Sequence, residues 1–177
     1  MRIYNWTKIS AVAFLFLSLL ACEEPKKVKQ QRIVTKKEMA DHNRQSVRME
    51  ADQIDKYISR RGWVMEKTGS GLRYMVYEPS YSNEHAKEND TVYVTYEVSL
   101  ISGKTIYKSD SNQTASFIVG HDEVESGLQE GIRFLSKGDK SMLIIPSHLA
   151  HGYTGDFNKI PRSSTVIFDI TLVRIND

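Results

Sequence analysis

The chain has 177 residues, with 24 Lys and Arg against 22 Asp and Glu, ten Gly, four Pro and one Cys. That length allows one ordinary domain with a tail, or two very small domains. The Gly and Pro content excludes a collagen-like or Pro/Gly-rich disordered chain, and a single Cys excludes an intrachain disulfide or a multi-cysteine zinc site. A formal charge of +2 makes no case for nucleic acid, and removal of a leader holding Arg2 and Lys8 leaves 22 residues of each sign.

Residues 1–21 read as such a leader. Arg2 and Lys8 precede an apolar run of 13 residues, Ile9 to Ala21, too short for a typical transmembrane helix of about 20 residues but fitting the core of a secretory signal. The run ends Leu19-Leu20-Ala21-Cys22, which resembles a bacterial lipobox. The resemblance implies cleavage before Cys22 and acylation of that residue, hence firm attachment to a lipid membrane. An ordinary signal peptide with a chance Cys is the alternative. Residues 22–34, with Pro25 and many charges, read as a solvated tether.

Thr35-Lys36-Lys37-Glu38 is a capping-box pattern and predicts a helix to Arg61, stopped by Gly62. Val47, Ala51, Ile54 and Ile58 fall at helical spacing, but the stripe is thin. The expectation for 35–62 is therefore a partly exposed helix. It serves as a spacer, or pairs with a second copy through 35–61 as a homodimer.

From Trp63 the pattern changes to strands. Trp63 to Glu66 and Leu72 to Tyr77 flank the turn Thr68-Gly69-Ser70-Gly71; Thr91 to Ile101, Phe117 to Val119, Met142 to Ile145 and Thr165 to Ile175 follow. Gly127 to Leu135 is a short helix with Leu128, Ile132 and Leu135 on one face, and Ser147 to Ser164 is a loop too long for a mere connector. The fold class is α+β: an antiparallel sheet covering one short helix, in a domain spanning 63–177 with its core in 88–177. Charge divides along the mature chain: 22–87 carry 14 basic and 10 acidic residues, 88–177 carry 8 and 12. The basic tether lies where anionic headgroups would attract it.

Hydrolytic chemistry has little support, since the only Cys is in the anchor and Gly69-Ser70-Gly71 lacks the G-x-S-x-G frame. His148, His151 and Asp156 share one loop, but without the i, i+4 spacing of a helical metal site, and a loop-packing role is the alternative. His121-Asp122-Glu123 reads as solvated surface. Neither a metal nor a cofactor is expected.

Several ordered blocks resemble FKBP-type peptidyl-prolyl cis-trans isomerases. They are Asn89 to Tyr96, Ser102-Gly103-Lys104-Thr105-Ile106, Phe117-Ile118-Val119-Gly120, Val124 with Gly127-Leu128-Gln129-Glu130-Gly131, Lys137 to Lys140, Ile145 to Gly152, Ile160-Pro161 and Val166 to Asp169. Ala21 to Pro25 and Gly152 to Asp156 are similar to the gliding-motility-associated lipoproteins of that family. The resemblance implies a half-barrel sheet wrapped round the short helix, FKBP-like, preceded by the long N-terminal helix. It also implies an isomerase of X–Pro bonds in envelope or secreted proteins, located in the cell envelope and facing the periplasm from the outer membrane. A non-catalytic chaperone or assembly module is the alternative.

By position, the resemblance assigns the catalytic pocket to Tyr96, Phe117, Val124, Leu128, His151 and Phe168, with Ile106, Tyr107, Glu125 and Ile160 binding substrate. Leu128 would be the floor, Tyr96 and Phe168 walls, His151 a donor to the peptide carbonyl and the Glu125 N–H a second anchor. The family pattern differs at Tyr107 (usually Asp), His151 (usually Tyr), Leu128 (usually Trp), Glu125 (usually apolar) and Ala115 (usually bulkier). These differences imply slow, pH-dependent isomerisation and poor binding of macrolides.

Overall fold

The computed structural model describes residues 35–110 and 113–176. The leader, Cys22 and the tether lie outside the described residues. Lys37–Asp177 form one compact unit.

Helix α1 spans Lys36–Arg61. Gly62, at φ +64°, ends it: its N–H donates to the Ser59 carbonyl at 3.1 Å and the Trp63 N–H donates to the Ile58 carbonyl at 3.3 Å. This pair of reversed bonds is a Schellman motif, and it requires the left-handed conformation that Gly adopts without a Cβ penalty. Trp63 is the residue after that cap, and its ring meets Tyr57 edge-on at 5.8 Å. The strand expected at Trp63 to Glu66 is consequently displaced: β1 is only Glu66–Lys67, because Trp63 closes the helix.

The strands are β1 Glu66–Lys67, β2 Arg73–Glu78, β3 Thr91–Leu100, β4 Thr105–Lys108, β5 Ala115–Ile118, β6 Lys140–Ile145 and β7 Val166–Ile175. All their pairings are antiparallel, in the order β1-β2-β6-β7-β3-β4, with β5 also on β3. The long β3–β7 pair is the middle of the sheet, running from Val92 opposite Ile175 to Leu100 opposite Val166. Alternation on these two strands divides the sheet faces. Val92, Val94, Val98, Val166, Phe168, Ile170 and Leu172 enter one core, together with Leu128, Ile132, Leu135, Leu143 and Ile145.

Helix α2, Ser126–Gly131, continues as a 3₁₀ turn through Ile132–Phe134 and packs on this face of the sheet through Leu128, Ile132 and Leu135. Two glycines set how closely it approaches. A Cβ on Gly127 would stand 2.3 Å from Ile145 Cγ2, and one on Gly131 2.7 Å from Leu143 Cδ1. The i, i+4 glycines thus form a bare strip on the helix, into which two same-face side chains of β6 fit.

The opposite face carries a second core. Ile144 and Ile167, direct partners on β6 and β7, are covered by Ile54 and Tyr57 of α1, with Ile58, Trp63, Met65, Ile101 and Met142 around them. This explains why Met142-Leu143-Ile144-Ile145 is apolar without alternation: the strand is covered on both sides. Only Ile54 and Tyr57 of α1 are fully buried; Met39, Val47 and Met49 are exposed. No helix among the described residues is long and apolar enough to cross a membrane.

Candidate functional site

Eight of the ten expected pocket residues come from separate parts of the chain and meet in one apolar cluster. Ile106 of β4, Phe117 of β5, Leu128 of α2, Phe168 of β7 and Ile160 of the long loop are buried at 4–6% exposure, and the Tyr96 ring of β3 stands 6.2 Å from that of Phe168. Tyr96, Tyr107 and Val124 pack against this cluster while keeping partial exposure. A groove of about 490 Å3 lies elsewhere, between α1 and the loops at the end of the sheet, and another of about 320 Å3 opens beside Tyr96; neither is lined by Phe117, Leu128 or Phe168.

Polar groups form the rim. His151 and Glu125 face each other, Nε2 to Oε1 at 3.0 Å, with 29% and 17% of their side chains exposed. A carboxylate therefore stands beside the donor expected from His151, which the sequence did not reveal. Glu125 is the residue before α2, with φ −54° and ψ 133°, and its carbonyl receives the Leu128 and Gln129 N–H groups. Its own N–H finds no acceptor among the described residues.

Tyr107 and Asp156 make the second rim pair. The Tyr107 hydroxyl donates to Asp156 Oδ2, and Asn158 Nδ2 donates to the Tyr107 oxygen at 3.4 Å. Asp156 Oδ1 also accepts the Asn158 and Ile160 N–H groups at 2.9 and 2.7 Å. Partial burial pushes the Asp156 carboxyl up. The Tyr107 hydroxyl, the two N–H donors and the nearby His151 outweigh that and hold it at about 2. The same carboxylate raises the Tyr107 phenol above its ordinary value. Lys159 covers the pair, its Nζ 4.7 Å from the Tyr107 ring centre and 3.1 Å from the Ile106 carbonyl it donates to. Asp156 and Lys159 are not among the site residues expected from the sequence. The available signal was Tyr107 itself, a hydroxyl at a half-buried strand position in need of an acceptor.

His148, on the same loop, is engaged elsewhere. Its Nε2 lies 3.0 Å from the Ser70 carbonyl, and Ser70 Oγ donates to Glu130 Oε2 at 2.6 Å. Among the described residues there is no group of three or more His, Cys, Asp or Glu side chains placed to hold a metal ion.

Residues 82–173 match the family model for FKBP-type peptidyl-prolyl cis-trans isomerase. The chain belongs to the FKBP-type isomerase family. It is 35% identical over 122 residues to the FKBP-type isomerase FkpA of Escherichia coli K12, covering 68% of this chain and 43% of that protein. It is 34% identical over 124 residues to FkpA of Buchnera aphidicola subsp. Schizaphis graminum, covering 70% and 48%. The chain thus matches about half the length of these curated relatives. Among solved structures, FkpA of E. coli superposes with a TM-score of 0.60 at 26% identity, covering 99% of this chain and 84% of that one. A peptidyl-prolyl isomerase of Pseudomonas syringae pv. tomato superposes at 0.63 with 23% identity, covering 76% and 96%, and shares the fold. The FKBP-type sheet and helix are therefore the frame on which the polar rim of this chain is mounted.

Proposed function

We propose that this chain is a peptidyl-prolyl cis-trans isomerase acting at the cluster of Tyr96, Phe117, Val124, Leu128 and Phe168. Ile106, Tyr107, Glu125 and Ile160 border the bound peptide, and His151 is the carbonyl donor. The observation that carries this reading is the meeting of Ile106, Phe117, Leu128, Ile160 and Phe168 with the ring of Tyr96 in one apolar site of an FKBP-type domain.

The chemistry follows from amide resonance. Rotation about X–Pro must break partial double-bond character, a barrier of about 18–20 kcal/mol. The twisted amide is less dipolar than the planar one, so a water-excluding apolar site disfavours the planar form more. Preferential binding of the twisted form lowers the barrier, about 1.36 kcal/mol for each tenfold in rate. The Glu125 N–H and His151 hold the carbonyl while the prolyl ring stays on Leu128.

The clients are X–Pro segments of envelope or secreted proteins. Acylated Cys22 would keep the domain on the membrane, and residues 22–34 would let it reach clients. The narrower assignment, to gliding-motility-associated lipoproteins at the outer membrane, rests on Ala21 to Pro25 and Gly152 to Asp156. With Ile54 and Tyr57 occupied by the chain's own sheet, pairing with a second copy would use the exposed Met39, Val47 and Met49.

A second reading, a holdase for Pro-containing segments without turnover, is favoured by one observation: His151 Nε2 already faces the Glu125 carboxylate. The lipid-free chain from residue 23, tested in an X–Pro tetrapeptide series and a proline-limited refolding reaction, separates the two. An isomerase accelerates the cis/trans step at substoichiometric amounts, whereas a holdase changes only yield, and only near equimolar amounts.

A further inference from the structure

Helix α1 does more than cover the outer face of the sheet. Its Glu50 carboxylate accepts three hydrogen bonds from residues far along the chain: the Ser147 N–H at 2.7 Å, the Ser147 hydroxyl at 2.8 Å and the Thr165 hydroxyl at 2.7 Å. Two turns earlier, Asn43 Oδ1 accepts the Tyr153 hydroxyl at 2.9 Å. Ser147 and Tyr153 bracket His151. Between them, the Ser147 carbonyl accepts the Gly152 N–H at 2.8 Å and the Ala150 N–H at 3.1 Å. The backbone on either side of His151 is thus referred to one carbonyl, and the residue carrying that carbonyl is held by Glu50.

We propose that Glu50 is a positioning residue for the His151 loop, making α1 a working part of the site. This rests on the isomerase reading for its catalytic consequence, but not for its structural one. The carboxylate fixes Ser147 by both its N–H and its hydroxyl, a two-point hold that removes rotation as well as translation. The third bond, from Thr165, ties that hold to the residue just before β7, which carries Phe168. The aromatic wall and the donor loop are therefore referenced to the same carboxylate. Polar holds of this kind matter because a misplacement of about 1 Å caused far from the chemistry can cost about a hundredfold in rate.

A different ion pair supplies the control. Asp55, one turn further along α1, receives Arg73 Nη2 at 2.8 Å and Nε at 3.2 Å, and among the described residues this pair docks the same helix with no hydrogen bond to the Ser147–Tyr153 loop. The experiment compares wild type with Glu50→Ala, Glu50→Gln and Asp55→Asn. It measures kcat/KM on an X–Pro tetrapeptide, amide hydrogen exchange at Gly152, and thermal unfolding.

Glu50→Ala is expected to lower kcat/KM five- to twentyfold, chiefly in kcat, and to speed Gly152 exchange at least tenfold. Glu50→Gln keeps Oε1 for Ser147 N–H and Thr165 and offers its amide to the Ser147 hydroxyl oxygen, so it should stay within twofold of wild type in both. Asp55→Asn is expected to lower the melting temperature while leaving kcat/KM and Gly152 exchange within twofold. Equal effects of Glu50→Ala and Asp55→Asn on kcat/KM and exchange would reduce Glu50 to a docking contact and overturn the proposal, as would unchanged exchange in Glu50→Ala. Should wild type itself fail to accelerate isomerisation, the isomerase reading falls, and the exchange at Gly152 still decides whether Glu50 holds the loop.

Discussion

The imidazole Nε2 of His151 lies 3.0 Å from Oε1 of Glu125, so a carboxylate stands beside the expected donor of the site. A peptide carbonyl approaching that nitrogen meets a carboxylate already beside it, and a charged acceptor draws a donor more strongly than a neutral one. Glu125→Leu removes that carboxylate and is expected to raise kcat/KM on a neutral X–Pro peptide three- to tenfold. His151→Phe, which removes the donor, should lower it about tenfold, about 1.4 kcal/mol of transition-state binding. Unchanged rates in both variants would remove His151 from the reaction.

The Tyr107–Asp156 pair makes the loop acid-sensitive. The Asp156 carboxyl is held at about 2, below an unfolded value of about 3.9. A depressed carboxylate contributes its stability above the unfolded value and loses it as pH falls through the folded one. The difference in unfolding free energy between wild type and Asp156→Asn should therefore be constant above about pH 4.5 and shrink steadily between about pH 4 and 2. Denaturant titrations across that range measure it, and a difference that persists to pH 2 would show that the carboxylate is not the stabilising form.

The two glycines of α2 are expected to respond unequally. A Cβ at Gly127 meets Ile145 Cγ2 at 2.3 Å and Leu149 Cβ at 3.2 Å, atoms close to their backbones, whereas one at Gly131 meets the tip of Leu143. Overpacking costs about 1–3 kcal/mol, against a gain of about 1 kcal/mol in helix propensity for Ala. Gly127→Ala should be clearly destabilising and lower kcat/KM by lifting Leu128. Gly131→Ala should lie within about 1 kcal/mol of wild type. Equilibrium unfolding of the two variants ranks them directly.

Ile54 has no exposed surface and sits on the Ile144–Ile167 pair. Truncation to Ala is expected to cost about 2–5 kcal/mol through lost transfer energy and the cavity left behind. A cost below about 1 kcal/mol, measured by urea unfolding, would mean that α1 is not docked in solution.

Much of the fold is legible in local pattern. Alternation marks β3 and β7, Gly62 marks the end of α1, and the turn at Gly103 separates β3 from β4. The thin stripe Val47, Ala51, Ile54 and Ile58 describes α1 less well. The side chains that bind the domain include Asn43, Glu50, Ile54, Asp55, Tyr57 and Ile58, and three of those six are polar. Hydrophobic periodicity does not register a helix face that docks through carboxylates. Trp63, β-like in type, joins the helix cap for a similar reason: its neighbour Gly62 decides the backbone, and its ring follows Tyr57.

The apolar positions of the site came from the family resemblance; those on strands and on α2 also repeat a local rule, every second residue on a strand or one face of a short helix, whereas Val124 and Ile160 lie on loops. The acceptors of the polar groups came from neither. Glu50 reaches Thr165 across 115 residues, Tyr107 reaches Asp156 across 49, and Glu125 finds His151 on a different loop. Burial is encoded by pattern, since any apolar neighbour satisfies it. A hydrogen bond needs one particular atom at one distance and direction, and which atom stands there is decided only once the sheet has closed.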